Sequence, residues 1–285
     1  MGNGWHEWPL VLFTVLGQCA AGALIVSGLG WLSLKNNSEA RQRLVRSMIA
    51  IWLLMGVGFL ASTLHLGSPL RAFNSLNRLG ESALSNEIAS GIIFFAVGGL
   101  WWLLAVTSKM PAALSAPWLA VSMLLGGVFV FAMTRVYQID TVPTWYNGYT
   151  TGAFFLTMLL CGPLFAALLL RAANVSFNGS VFASLSVLAL LASIAIVVLQ
   201  GFGLGDIHSS VQRAGALVPG YGLWQTWRIA LLALGLGCWL CPLIRGIRPR
   251  TGGLCFGLLL VLAGELIGRS LFYGLHMTVG TAVAG

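Results

Sequence analysis

Apolar residues run continuously through eight stretches of this chain, and polar residues gather between them. The stretches cover approximately residues 9–34, 48–66, 87–107, 117–136, 152–172, 181–204, 224–243 and 253–275. Each offers roughly the 20 residues that a helix needs to cross a hydrocarbon layer about 30 Å thick. Apolar and polar positions do not alternate within them, so helices rather than barrel strands are predicted. The pattern predicts an all-α integral membrane protein, one domain of eight transmembrane helices over residues 1–285, with longer connectors at 67–86 and 205–223.

Composition agrees. Of 285 residues, 58% are hydrophobic and only 8% charged, against about a quarter charged in an ordinary globular protein. A soluble domain, a disordered chain and a secreted disulfide scaffold are excluded.

The formal net charge of +8 changes meaning once its placement is considered. One set of helix ends carries Lys35, Arg41, Arg43, Arg46, Lys109, Arg171, Arg245, Arg248 and Arg250 against Glu39 alone, a net of 9 − 1 = +8. The other set carries Arg71, Arg78, Arg135, Arg213, Arg228 and Arg269 against Glu7, Glu81, Glu87, Asp140, Asp206 and Glu265, a net of 6 − 6 = 0. The positive-inside rule makes the first set cytoplasmic and places both termini outside. The opening MGNGWHEW lacks the basic stretch of a signal peptide. All four histidines (His6, His65, His208, His276) fall on the outer side, so chemistry is expected there.

The five cysteines lie inside apolar segments and read as buried thiols. Cys238-Trp-Leu-Cys241 has C-x-x-C spacing, yet no second pair or nearby histidine completes a zinc or iron–sulfur site. No histidine lies on the inner half, which rules out a two-haem relay across the bilayer. A single outer haem would need His65 and His276.

Residues 64–87 are the most informative connector. Ser68 followed by Pro69 has the form of an N-cap with proline at the first helical position. Leu70, Phe73 and Leu76 recur every third residue, and Gly80 offers a stop. The run reads as a short interfacial helix exposing Arg71 and Arg78, or more plainly as a solvated connector helix. It joins His65, ending the second stretch, to Glu87, opening the third. An imidazole and a partly desolvated carboxylate at similar shallow depth suit proton acceptance from a lipid-soluble hydroxyl compound. The plainer alternatives are an interfacial histidine and a first-turn acid favoured by the helix dipole. Deeper in the eighth stretch, Glu265 and Arg269 stand at i,i+4 and can form an internal ion pair, either fixing helix packing or serving a proton path. Arg135 and Arg228 read as snorkelling side chains. Glycines such as Gly56, Gly58, Gly235 and Gly237 read as helix contacts. Trp5, Trp8, Trp118, Trp145, Trp224 and Trp227 read as interface anchors.

The opening MGNGWHEWPL, the run HLGSPLRAFNSLNR, SNEIASG, IDTVPTW, IHSSVQ and the ending GELIGRSLFYGLHMTVG together resemble the membrane-anchor subunits of bacterial dimethyl sulfoxide reductases over nearly the whole sequence. The family includes close paralogues, and the sequence is at least as similar to one of those as to the principal anchor. The resemblance implies eight helices with periplasmic termini in the bacterial inner membrane, with no haem or other metal cofactor. It implies menaquinol as substrate, with electrons passing to an iron–sulfur subunit and then to a molybdopterin catalytic subunit. It also implies that His65 and Glu87 carry quinol oxidation, with Ser68, Arg71 and Arg78 of the same run as candidate contacts. A purely structural anchor and a polytopic transporter are the alternatives; the transporter would need a polar site near the midplane. The choice of terminal acceptor rests with the catalytic subunit.

Overall fold

Long apolar runs in hydrocarbon must satisfy their backbone groups internally, which helices do. The computed structural model describes residues 2–35, 37–65, 74, 76–176, 179–208 and 212–278, with the backbone alone at His65. After a 3-10 segment at Gly2–Glu7 come helices α1 (Trp8–Ser33), α2 (Ser38–Ser47), α3 (Ile49–His65), α4 (Ala83–Val106) and α5 (Ala112–Val136). They are followed by α6 (Gly148–Ala172), α7 (Ser180–Gly203), the short α8 (Ala214–Leu217), α9 (Tyr221–Ile244) and α10 (Thr251–Gly274). Eight of these segments are long and apolar enough to span a bilayer, and they coincide with the eight predicted stretches. Several start two to five residues earlier than the apolar runs. Polar caps extend them: the side chains of Asn147 and Ser82 accept the Thr150 and Ser85 amides ahead of α6 and α4.

The helices form two rings of four. α1, α3, α4 and α5 make one; α6, α7, α9 and α10 make the other, and α1 joins them by packing on α6 and α10. α1 is consequently buried around almost its whole circumference. The outward faces of the other helices carry exposed apolar side chains such as Leu60, Leu124, Phe202 and Leu234, as a lipid-facing surface requires. The α1–α6 seam closes on glycine. A Cβ on Gly22 would lie 2.5 Å from the Met158 carbonyl oxygen, and one on Gly162 would lie 2.5 Å from the Gly22 Cα. Gly235 meets Gly257 in the same way between α9 and α10, whereas Gly56 and Gly237 face open space.

One element departs from expectation. Residues 38–47, which the apolar pattern leaves between the first two stretches, form α2. Asn37 caps it by accepting the Ala40 amide at 2.9 Å, and Ala40, Leu44 and Val45 are buried along one side. Its polar side chains close the ends of neighbouring helices. Arg41 donates to the Trp31 carbonyl (3.3 Å), Gln42 to Val106 (2.9 Å) and Arg43 to Ala173 (3.1 Å). These are carbonyls at helix C-termini, where cations complement the dipole. α4, α6 and α9 also finish at this end on a left-handed residue: Ser108, Asn174 and Gly246. In each case the following amide bonds back to the helix: Lys109 to Leu104, Val175 to Leu170 and Ile247 to Pro242.

The predicted interfacial helix around Ser68–Leu76 lies mostly outside the described residues; Asn77–Glu81 is a turn. Trp145, read as an interface anchor, is buried instead. Its indole donates to the Phe272 carbonyl at 2.8 Å and stacks on the Phe272 ring. Cys241 and Cys255 are exposed on the outer surface of their helices, while Cys19 and Cys161 are buried at the α1–α6 seam.

Replacing Gly162 with Val is expected to cost about 1–3 kcal/mol, read as a lower thermal midpoint of the detergent-solubilised complex. Gly56→Ala, with nothing within 4 Å of the new methyl, leaves that midpoint unchanged or higher.

Candidate functional site

The ends of α3, α5, α7 and α10 lie at the end of the bundle where α4, α6 and α9 begin. Glu87 lies one turn inside α4, only 4% exposed. Its Oε1 has no hydrogen-bond partner among the described residues. On the same face one turn further, a Cβ on Gly91 would lie 2.8 Å from the Phe129 ring and 3.2 Å from the Phe59 ring. Phe13 packs on both of those rings (5.6 and 5.9 Å between centroids). An aromatic floor from α1, α3 and α5 therefore packs against the face of α4 that carries Glu87, one turn further along the helix. Beside it, just past α5, the Tyr137 hydroxyl hydrogen-bonds that of Tyr273 on α10. Burial first, then Tyr273 and the Glu87 carboxyl, hold Tyr137 well above the ordinary tyrosine range.

His65 is the last residue of α3, which faces α4 through the Phe59–Phe95 ring pair at 5.7 Å. His65 and Glu87 thus belong to the same end of one four-helix ring. The His65 side chain, Ser68 and Arg71 lie outside the described residues. Arg78 is exposed and pairs loosely with Glu81 at 3.5 Å. His276 is exposed and packs on the Trp145 ring at 4.7 Å.

From the tyrosine pair a buried polar cluster continues inward. Tyr273 also meets the Thr14 hydroxyl of α1. Arg269, one turn earlier on α10, donates to Gln18 Oε1 (2.9 Å) and to Thr157 Oγ1 (3.4 Å), and its guanidinium lies 3.5 Å over the Phe154 ring. Thr157 hydrogen-bonds Glu265 Oε2. Glu265 Oε1 receives Arg228 Nη2 of α9 at 3.0 Å. A cavity of about 40 Å³ beside Thr157, Arg228 and Glu265 has room for water. Glu265 stands nine residues before the last residue of α10, roughly 14 Å of helix rise. The cluster therefore reaches deeper than the outer rim. Among the described residues, no group of three or more His, Cys, Asp or Glu gathers as metal ligands.

The expected Glu265–Arg269 ion pair is not the one that forms. The carboxylate pairs with Arg228, which is only 8% exposed and does not snorkel. Space decides the matter: a Cβ on Gly268 would lie 2.5 Å from Arg228 Nε, and one on Gly264 would lie 3.0 Å from the Arg228 carbonyl oxygen. This glycine pair admits the α9 arginine, while Gln18 and Phe154 hold Arg269 to the other side. Tyr137, Gln18, Thr157 and Arg228 were not singled out as site residues from sequence. One signal was present: Glu265, Arg269 and Tyr273 continue the same i,i+4 stripe, as do Thr14 and Gln18.

Breaking the ion pair from one side is expected to destabilise by about 3–5 kcal/mol. Arg228→Met and Glu265→Gln should each lower the thermal midpoint, and the double variant should lose less than their sum. A Glu265→Gln/Arg269→Met cycle should show the smaller coupling.

The family model of the DMSO reductase anchor subunit matches residues 1–275. The sequence is 68% identical over 285 residues to YnfH, an anaerobic dimethyl sulfoxide reductase subunit of Escherichia coli (strain K12). It is 57% identical over 286 residues to the C subunit of anaerobic dimethyl sulfoxide reductase from the same organism, and 42% identical over 286 residues to the C subunit of the Haemophilus influenzae enzyme. Each alignment covers 100% of both proteins. With eight apolar helices and a match over nearly its full length, the protein belongs to the DMSO reductase anchor subunit family and is a multi-pass membrane anchor of an anaerobic dimethyl sulfoxide reductase complex.

Proposed function

We propose that this anchor also oxidises a quinol, menaquinol, at the bundle end that holds Glu87. The observation that carries the reading is the buried Glu87 carboxyl, whose Oε1 has no partner among the described residues, on a helix face packed by aromatic rings. A buried polar atom without a partner costs about 1–3 kcal/mol, so a hydroxyl-bearing ligand that donates to it is favoured. The rings of Phe13, Phe59 and Phe129 pack against the same face of α4 and keep the surroundings of the carboxyl apolar.

The reaction removes two electrons and two protons from the quinol and leaves the quinone. Glu87 and His65 accept the two protons, with Ser68 and Arg71 as further contacts to the head group. The electrons leave for an iron–sulfur subunit docked at this end, which relays them to a molybdopterin catalytic subunit. The anchor itself needs no haem or metal for this. The excess of basic residues at the opposite end orients the protein with the quinol site and both termini periplasmic in the bacterial inner membrane. Protons are then released on the side where they arise, and no charge crosses the bilayer in this step.

Exchanging His65 for Arg, or Glu87 for Gln, is expected to lower menaquinol-analogue-dependent turnover of the purified complex at least about tenfold, within the range of lost acid–base catalysis. Turnover driven by an artificial donor to the partner subunits should stay near wild type. Unchanged quinol-dependent turnover in both variants leaves a purely structural anchor.

A further inference from the structure

At the opposite, basic end lies a cavity of about 610 Å³, between the ends of α6, α7, α9 and α10. Its two halves differ in chemistry. The deep part is apolar, lined by Val26, Ala167, Trp239 and Leu254. The mouth is formed by Asn174–Ser176, Gly179 and Gly246–Pro249 and carries Arg171 and Arg248. Arg171 is held in place, because its Nε donates to the Pro249 carbonyl at 3.0 Å and ties one connector to the end of α6. Arg245 and Arg250 belong to the same connector. No acidic residue lines the cavity. Glu39, the acid at this end, is paired with Arg43 at 2.8 Å.

An uncompensated pair of guanidiniums above an apolar shaft is complementary to an amphiphile with an anionic head. Arginine forks match phosphate oxygens, and basic pockets between membrane helices suit acidic lipid head groups. The shaft runs along α6 from Arg171 to Pro163, roughly 12 Å of helix rise. That is deeper than a free phosphate can use and suits part of an acyl tail. We infer that this cavity binds an anionic phospholipid, its phosphate at Arg171 and Arg248 and one acyl tail along Ala167, Trp239 and Leu254. The inference requires the eight-span architecture but not quinol oxidation, because the cavity lies at the far end of the bundle from Glu87.

The test reconstitutes the purified complex in phosphatidylcholine nanodiscs and titrates spin-labelled phosphatidylglycerol, with spin-labelled phosphatidylcholine in parallel. Three variants are compared: Arg171→Gln/Arg248→Gln, Arg171→Lys/Arg248→Lys and Ala167→Phe. Wild type should show a saturable immobilised component for phosphatidylglycerol alone. The glutamine pair should weaken it about 10- to 30-fold. The lysine pair should keep most of it, and Ala167→Phe should abolish it with both arginines intact. Dye-linked turnover of each variant reports that the complex has assembled. Equal binding of both lipids overturns the proposal, as does an effect of the glutamine pair without one from Ala167→Phe. Full displacement by millimolar inorganic phosphate reassigns the site to a free anion and likewise overturns it.

Discussion

Glu265 and the two arginines around it are buried between helices, and the second four-helix ring is arranged about that fact. A carboxylate or guanidinium without a partner in such surroundings costs several kcal/mol. Arg228 answers Glu265 from α9, Thr157 answers it from α6, and Arg269 is answered by Gln18 from α1. Four helices are thereby committed to one relative depth and rotation, which lipid-facing leucines cannot enforce. Glycine makes it feasible. Gly264 and Gly268 clear the path for Arg228, and the Gly22–Gly162 contact draws α1 close enough to α6 for Gln18 and Thr157 to share Arg269.

The two ends of the bundle use polar residues differently. At the end with Glu87, polar groups are buried and drawn inward: the tyrosine pair, the carboxyl with an unpartnered oxygen, and the cluster behind them. Thr144 and Trp145 fold the connector after α5 over this end by donating to the Leu275 and Phe272 carbonyls. At the basic end, arginines stay near the surface and serve the protein itself. They occupy carbonyls at the ends of α1 and α6 and tie the connectors together. Part of the basic charge at this end caps helices: Arg41 and Arg43 occupy carbonyls where α1 and α6 finish and present their negative dipole ends.

The proposed quinol site draws on that asymmetry, through a buried Glu87 carboxyl whose Oε1 has no partner among the described residues. The aromatic floor from α1, α3 and α5 belongs to the first ring of helices, whereas the ion-pair cluster belongs mainly to the second. Tyr137 and Tyr273 join the two.

Span number, helical character and the charge difference between the two ends were legible in the residues alone, because hydrocarbon imposes one requirement on every segment and reads it locally, residue by residue. The family was legible too, through motifs such as HLGSPLRAFNSLNR and IDTVPTW. Partner choice was not. Glu265 has Arg269 at helical spacing on its own helix, yet pairs with Arg228, thirty-seven positions away, because glycine spacing on α10 leaves room on one side and Phe154 and Gln18 hold Arg269 on the other. The amphipathic run at 38–47 was not legible as a helix for a related reason: its side chains find their acceptors on the carbonyls of other helices. Which polar groups share a pocket depends on how helices approach each other, and that is decided by small residues and shape across the whole bundle rather than by the period of any one segment.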